Sequence, residues 1–186
     1  MKKTIVLLAV MVAAMSPLAL FAGHIEHHGC EPCHTPHHVQ QEDTMGVALW
    51  SGNATTNTFT LYSSDSLVGT PGQPDGSTKL CLSCHDGTHP YIARIVDGHT
   101  VPSNFETDLS DSHPVSIDYA PAFAAKPTEY VDPALIPGGY LERGKVQCSS
   151  CHDVHDNEGV GLADLRGFDY LDEAGGGALC QQCHAK

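Results

Sequence analysis

The chain has 186 residues and a formal net charge of −13, from 9 basic and 22 acidic residues. An acidic chain repels nucleic-acid phosphates and anionic membrane surfaces, which excludes both as expected partners, whereas a basic protein or a cation fits. Leu, Ile, Val and Phe form less than a fifth of the chain beyond its N-terminal segment, a fraction typical of disordered proteins. Something other than aliphatic side chains must therefore supply the interior.

The first 22 residues predict a secretory signal peptide. A basic start at Lys2 and Lys3 is followed by an apolar run over 4–14, and Ala22 ends an acceptable cleavage site. The run is too short to span a bilayer and none like it recurs downstream, so we expect no permanent membrane span. The sequence thus predicts one exported domain over residues 23–186. Its expected location is extracellular or at the cell surface, with the periplasm as the alternative.

All eight cysteines fall into four copies of the motif C-x-x-C-H. In c-type haem attachment, two thiols bond to the porphyrin vinyl groups and the adjacent imidazole binds the iron. Two intervening residues place both sulfurs along one porphyrin edge. The sequence therefore predicts four covalently bound haem c groups. The first motif is Cys30, Cys33 and His34; the second is Cys81, Cys84 and His85; the third is Cys148, Cys151 and His152; the fourth is Cys180, Cys183 and His184.

Other uses of paired cysteines fit less well. Zinc ribbons contain C-x-x-C pairs but need no histidine after every pair. Redox-active dithiols of the thioredoxin kind lie beside a βαβ pattern, which this sequence lacks. Disulfides are expected in an exported protein, yet thioethers would already use every sulfur.

The expected fold is mostly coil with few short helices and minimal strand, organised by haem. Scattered glycines and prolines favour turns throughout. We expect one or two helical turns at each motif and a further helix over 162–173. Segments 58–62 and 115–119 alternate apolar and polar residues and predict small strands, with irregular extended loops as the alternative. Five prolines over 114–137 are expected to prevent a helix there.

Nine histidines lie outside the motifs. A second imidazole on each iron would give closed, low-spin sites suited to electron transfer. His37 and His155 each follow a motif histidine by three residues, about one helical turn, so each is a candidate ligand of a neighbouring haem. His113, stiffened by Pro114, is a third candidate. For the fourth distal ligand we expect His24, with His27, His28, His89 and His99 as alternatives.

The segments CHTPH, KLCLSCHDGT, DLSDSHPVS, VQCSSCHDVH and LCQQCH, in this order, resemble the tetrahaem c-type cytochromes of the OmcE type. The resemblance covers roughly residues 30–184. It implies bis-His haems, a mostly coiled chain and head-to-tail stacking of subunits into an extracellular filament, with an axial histidine donated across the subunit boundary. The resemblance also implies that His37, His113 and His155 are distal haem ligands.

The predicted function is electron transfer rather than catalysis. The expected partners are further copies of the chain, other cytochromes and extracellular electron acceptors. A monomeric shuttle is the first alternative. A multihaem reductase would need an open axial position, which the surplus of histidines and the lack of any C-x-x-C-K variant oppose. Metal capture by the GHIEHH segment would be an added property at most.

Overall fold

The computed structural model describes residues 30–31, 33–34, 50, 54–88, 95–96, 99–100, 104–155, 165–166 and 175–185. The predicted fold class, mostly coil with few short helices and minimal strand, is confirmed over these residues. The predicted signal peptide lies outside them. The described elements are the helices α1 (Gly76–His85), α2 (Ala120–Ala125) and α3 (Gly175–Gln181), the 3₁₀ turn η1 (Cys148–Ser150), and the strands β1 (Ile95–Val96), β2 (His99–Thr100), β3 (Ile117–Asp118) and β4 (Lys145–Val146).

Each motif forms a helical turn, as predicted. In three motifs the histidine N–H donates to the carbonyl of the first cysteine, at 2.8 Å for His34, 3.0 Å for His152 and 2.9 Å for His184. The second motif lies within α1, so it has the same helical geometry. A helical turn brings the first and last of five residues onto one face, which places the leading thiol and the imidazole side by side.

Helix α1 begins where the backbone makes an unusual turn. Asp75 is extended, with φ −130° and ψ 179°, and Gly76 then adopts φ +51°, in the left-handed region that favours glycine. A Cβ at Gly76 would lie 2.6 Å from Oε1 of Glu142. Glycine therefore lets the start of α1 approach the residues that precede the third motif.

The strands are antiparallel pairs. In one pair Ile117 lies opposite Val146, and in the other Ile95 lies opposite Thr100. Strand β3 confirms the strand predicted over 115–119, although it is shorter. Segment 58–62 forms only a single bridge, at Thr60, so the extended-loop alternative is right there.

Two helix predictions differ from the structure. Five prolines do not prevent a helix over 114–137, because α2 begins at Ala120 with Pro121 in its first turn. The amide hydrogens of a first turn have no partners within the helix, so a proline there costs little. The helix then ends at Ala125, with Lys126 as its C-cap directly ahead of Pro127. Of the helix expected over 162–173, only Leu165 and Arg166 are described, and they form a bridge and a turn rather than a helix.

The apolar core is small. Phe59, Leu82 and Leu109 form its buried cluster, with Leu61 and Val115 packed against it. Several of the other buried side chains are polar, including Thr78, which is 0 % exposed, and Gln147, which is 2 % exposed. Hydrogen bonds between polar side chains therefore contribute much of the packing between the elements that carry the motifs.

A search of the described residues for a membrane-spanning helix found none of sufficient length and hydropathy.

Candidate haem-binding site

The eight motif cysteines are all free thiols in the structure. Cys81 and Cys148, which lead the second and third motifs, are hydrogen-bonded to each other through their sulfurs. This bond, and then burial, raise the pKa of Cys81, while the same bond lowers the pKa of Cys148 to about 7. The leading thiols of the second and third motifs are thus in direct contact.

The outer motifs adjoin the inner two. Burial, and then the charge of nearby Cys33, raise the pKa of Cys84, so the first motif lies beside the second. Burial, and then the charge of nearby Cys180, raise the pKa of Cys151, so the fourth motif lies beside the third. The thiols of the four motifs therefore follow one another in space in the order of the sequence.

Two pairs of imidazole rings lie close together. His34 of the first motif and His155 have ring centroids 6.1 Å apart with their planes at 23°. His184 of the fourth motif and His113 have centroids 6.3 Å apart with their planes at 77°. Both pairs join a motif histidine to one that sequence analysis singled out as a distal candidate.

The separations fit one metal ion between each pair. Two metal–nitrogen bonds of about 2 Å, plus about half a ring on each side, give a centroid separation of about 6 Å. Beside the first motif, where Trp50 forms a bridge with His34, the buried indole N–H of Trp50 has no hydrogen-bond partner among the described residues. An unpaired buried donor is costly, and a porphyrin carboxylate is the kind of group that would satisfy it. The residues present therefore fit haem.

The other two motif histidines have different surroundings. The ring of His85 lies 6.3 Å from that of Phe105, whose N–H donates to the His85 carbonyl at 2.9 Å. His152 is exposed and forms a bridge with Leu165. The predicted ligands His24 and His37 lie outside the described residues. So do the alternatives His27, His28 and His89, and only the backbone of His99 is described.

A partly buried polar network, which we call the Gln147 clamp, joins the start of α1 to η1. It consists of the side chains of Asp75, Thr78, Ser116, Lys145 and Gln147. The Gln147 amide oxygen accepts from Thr78 at 2.5 Å and from Ser116 at 3.1 Å, and its nitrogen donates to Asp75 at 2.6 Å. Lys145 donates to the second carboxylate oxygen of Asp75 at 2.5 Å.

The clamp acts directly on the third motif. The Thr78 hydroxyl accepts from the Cys148 N–H at 3.0 Å, and the Gln147 N–H donates to the Ser150 hydroxyl at 2.9 Å. A further contact between Ser77 and Ser149 joins the same two elements at 2.7 Å. Because Thr78 lies one turn before Cys81, the clamp sets the distance between the second and third motifs.

The clamp makes stability depend on pH. Burial alone would raise the pKa of Asp75, but hydrogen bonds from Lys145 and Gln147 lower it below its usual value. A lowered pKa means that stabilisation is present above the unfolded-state pKa and is lost as the pH falls through the folded-state pKa. We expect denaturation midpoints of the holoprotein to fall on acidification below about pH 4, and to fall less in Asp75→Asn. Equal acid dependence in both proteins would contradict this.

A buried carboxylate follows the second motif directly. Asp86 is 5 % exposed and accepts from Thr55 at 2.6 Å, Asn57 at 2.9 Å and the Thr88 hydroxyl at 2.5 Å. Hydrogen bonds of this kind satisfy a buried carboxylate without a cation. The arrangement ties the extended segment that starts at 54 to the C-terminal end of α1.

The fourth motif is held by two tyrosines. Tyr119 is 4 % exposed, and its hydroxyl lies 2.8 Å from two carbonyl acceptors, those of Val131 and Cys183. The ring of Tyr130 lies 5.1 Å from the His184 imidazole and meets the Tyr119 ring edge-on at 6.0 Å. The backbone completes the contact, since Tyr130 and His184 form an antiparallel bridge.

Sequence reasoning missed these positioning residues. Gln147 directly precedes Cys148, and Tyr119 lies at the end of a predicted strand, but neither position carries a signal that separates it from an ordinary polar or aromatic residue. Their roles depend on contacts with residues about 64 to 72 positions away in the chain. The C-x-x-C-H motifs, in contrast, consist of five consecutive residues and can be recognised in the sequence alone.

Comparison with known proteins supports the prediction that the chain binds haem covalently. Residues 141–186, which contain the third and fourth motifs, match the protein family described as Doubled CXXCH motif. No curated protein matches the chain. Among the described residues no group of three or more His, Cys, Asp and Glu side chains converges as a metal site. The doubled motif indicates a multihaem c-type cytochrome with covalently bound haem c.

Proposed function

We propose that the chain is a tetrahaem c-type cytochrome that transfers electrons and catalyses no reaction of its own. The observation that carries the proposal is the pairing of two motif histidines with non-motif histidines, at centroid separations of 6.1 and 6.3 Å. A second imidazole on each iron leaves no position open for a substrate. When bound, haem supplies a one-electron ferric–ferrous couple.

The chain's own residues hold and orient the axial ligands. His34 and His155 form the pair at the first motif, and His184 and His113 the pair at the fourth. The Nδ1 of His113 lies 3.0 Å from the Pro114 carbonyl, to which it donates, so Nε2 is the nitrogen left for the iron. His24 and His37 remain our proposed distal ligands for the second and third motifs.

The order of the motifs supports conduction along the chain. The second and third motifs are connected by the hydrogen bond between Cys81 and Cys148. Thiols of the first and second motifs, and of the third and fourth, lie near enough for the charge of one to raise the pKa of the other. Redox centres attached at these thiols would lie close together, with the first and fourth at the two ends. Two imidazole ligands and a net charge of −13 both stabilise ferric iron, which favours low reduction potentials.

The mass and spectrum of the exported protein test the haem proposal. We expect a mass equal to that of the chain from residue 23 plus four haem groups, and a low-spin spectrum in both oxidation states. Carbon monoxide should not bind to the reduced protein, because every axial position is filled. A mass equal to the bare chain would contradict haem attachment, and carbon monoxide binding by the wild type would favour the reductase alternative.

We further propose that subunits stack head to tail into an extracellular filament. Support comes from the resemblance to OmcE-type cytochromes and from the position of the first and fourth motifs at opposite ends of the thiol series. Leading cysteines Cys30 and Cys180 of these two motifs are exposed. A histidine from the N-terminal segment would complete the second or third haem site of the neighbouring subunit, because the first and fourth sites are paired within one subunit.

Electron microscopy tests the filament. We expect ordered filaments from the wild type and none from a variant in which His24, His27 and His28 are all replaced by alanine, with its folded subunits intact. A matched control replaces Gln40 and Gln41, which lie shortly after the first motif, by alanine and should still form filaments. Ordered filaments from the triple variant would contradict ligand donation. A wild type that sediments as a monomer would favour the shuttle alternative.

A further inference from the structure

The two imidazole pairs differ in the angle between their planes. At the first motif the planes of His34 and His155 are 23° apart, which is close to parallel. At the fourth motif the planes of His184 and His113 are 77° apart, which is close to perpendicular. The centroid separations differ by only 0.2 Å, since they are 6.1 and 6.3 Å. Orientation, and not distance, therefore distinguishes the two sites.

Contacts on both sides fix the perpendicular pair. The hydrogen bond from His113 to the Pro114 carbonyl, at 3.0 Å, restrains one ring. The other ring, that of His184, lies against Tyr130 with 5.1 Å between centroids and 43° between planes. Rotation of the His184 ring would bring it into the Tyr130 ring, because planar rings at this separation are already in contact.

Tyr130 is itself held in place. Its ring meets that of Tyr119 at 85° and 6.0 Å, an edge-to-face arrangement that aromatic pairs prefer. Tyr119 is buried, and its hydroxyl shares its one hydrogen between the carbonyls of Val131 and Cys183, each 2.8 Å from the hydroxyl oxygen. In addition, the Val131 N–H donates to the Cys183 carbonyl at 2.9 Å and the Ala185 N–H to the Glu129 carbonyl at 2.9 Å. Segment 129–131 and the fourth motif thus form one restrained unit.

We propose that Tyr130, supported by Tyr119, is a positioning residue that holds the axial imidazoles of the fourth motif near perpendicular and so makes that haem electronically different from the haem of the first motif. The inference rests on the proposed bis-His function. Parallel imidazole planes raise one iron d orbital above its partner through π overlap, whereas perpendicular planes raise the two equally. Axial-ligand orientation is therefore a property through which the protein tunes the iron.

Electron paramagnetic resonance of the oxidised protein measures the effect of the angle between the imidazole planes. A site with parallel planes gives a rhombic low-spin spectrum, and a site with perpendicular planes gives a spectrum dominated by one very large g value. We expect the wild type to show both kinds. The large-g signal should disappear in His113→Ala, and one rhombic component should disappear in His155→Ala, which assigns each signal to its motif.

Variants of Tyr130 test the positioning role. In Tyr130→Leu the His184 ring loses its aromatic neighbour, and we expect the large-g signal to shift toward rhombic values while the haem content is unchanged. Tyr130→Phe keeps the ring and should retain the wild-type signal. Tyr119→Phe loses the hydrogen bond shared between the two carbonyls and should broaden the same signal. Tyr62→Leu is the control, because Tyr62 has no ring contact with any described histidine.

The outcomes separate this inference from the proposed function. A protein without haem, or with high-spin haem only, would contradict the function itself. Low-spin haems that are all rhombic, or a large-g signal that survives in His113→Ala, would overturn the assignment of the perpendicular site. A large-g signal that is unchanged in both Tyr130→Leu and Tyr119→Phe would overturn the positioning role of the tyrosines and leave the function intact.

Discussion

Replacement of His155 by alanine is expected to convert about a quarter of the haem from low-spin to high-spin. The ring centroid of His155 lies 6.1 Å from that of His34, so under the proposed ligation its loss removes one axial ligand from the site at the first motif. The reduced variant should bind carbon monoxide at that single site. Optical spectroscopy of the oxidised and the carbon monoxide-treated reduced protein measures the fraction.

Two further variants make the test of His155 sharper. The matched control is Val154→Ala, an adjacent substitution that leaves every imidazole in place and should remain fully low-spin. A double replacement of His155 and His113 should convert about half of the haem, because the two histidines belong to different motifs and the effects add. A His155→Ala protein that stays fully low-spin and binds no carbon monoxide would contradict the pairing.

Replacement of Gln147 by alanine is expected to lower the free energy of unfolding by about 3 kcal/mol. The side chain is 2 % exposed and makes hydrogen bonds to Thr78, Ser116 and Asp75. Truncation leaves the buried hydroxyls of Thr78 and Ser116 without their acceptor, and buried unpaired polar groups are costly. Chemical denaturation of the holoprotein, followed by far-ultraviolet circular dichroism, measures the loss.

A glutamine at the surface provides the control. Gln181 in α3 is exposed, so Gln181→Ala should change stability by no more than about 0.5 kcal/mol. Gln147→Leu keeps most of the volume but satisfies none of the three partners, and it should be destabilised nearly as much as the alanine variant. Equal denaturation midpoints for Gln147→Ala and Gln181→Ala would contradict a structural role for the clamp.

The sequence was most informative where chemistry is local. The C-x-x-C-H spacing predicts a helical turn, and each motif forms one because five consecutive residues determine it. Strand β3 was also predictable from alternation within a few residues. Helix α2 was missed because a count of prolines ignores position, and Pro121 lies in the one turn of a helix that tolerates proline.

Contacts between distant segments were not predictable. The distal candidates were found by counting histidines and by spacing, but the partner of each one depends on how the chain folds back. His155 lies three residues after His152 of the third motif, yet its ring lies beside that of His34 in the first motif. The same limit applies to Tyr119 and Gln147, whose importance comes from neighbours that no sequence period connects.

The contact between Cys81 and Cys148 has a consequence for maturation. Oxidising compartments outside the cytoplasm convert adjacent thiols into cystine, and a chain that folded there before ligation would hold these two sulfurs ready for a covalent cross-link. Such a cross-link would block two attachment sites at once. If the chain is exported and binds haem at these motifs as proposed, we expect the porphyrins to be attached while this part of the polypeptide is still reduced and open.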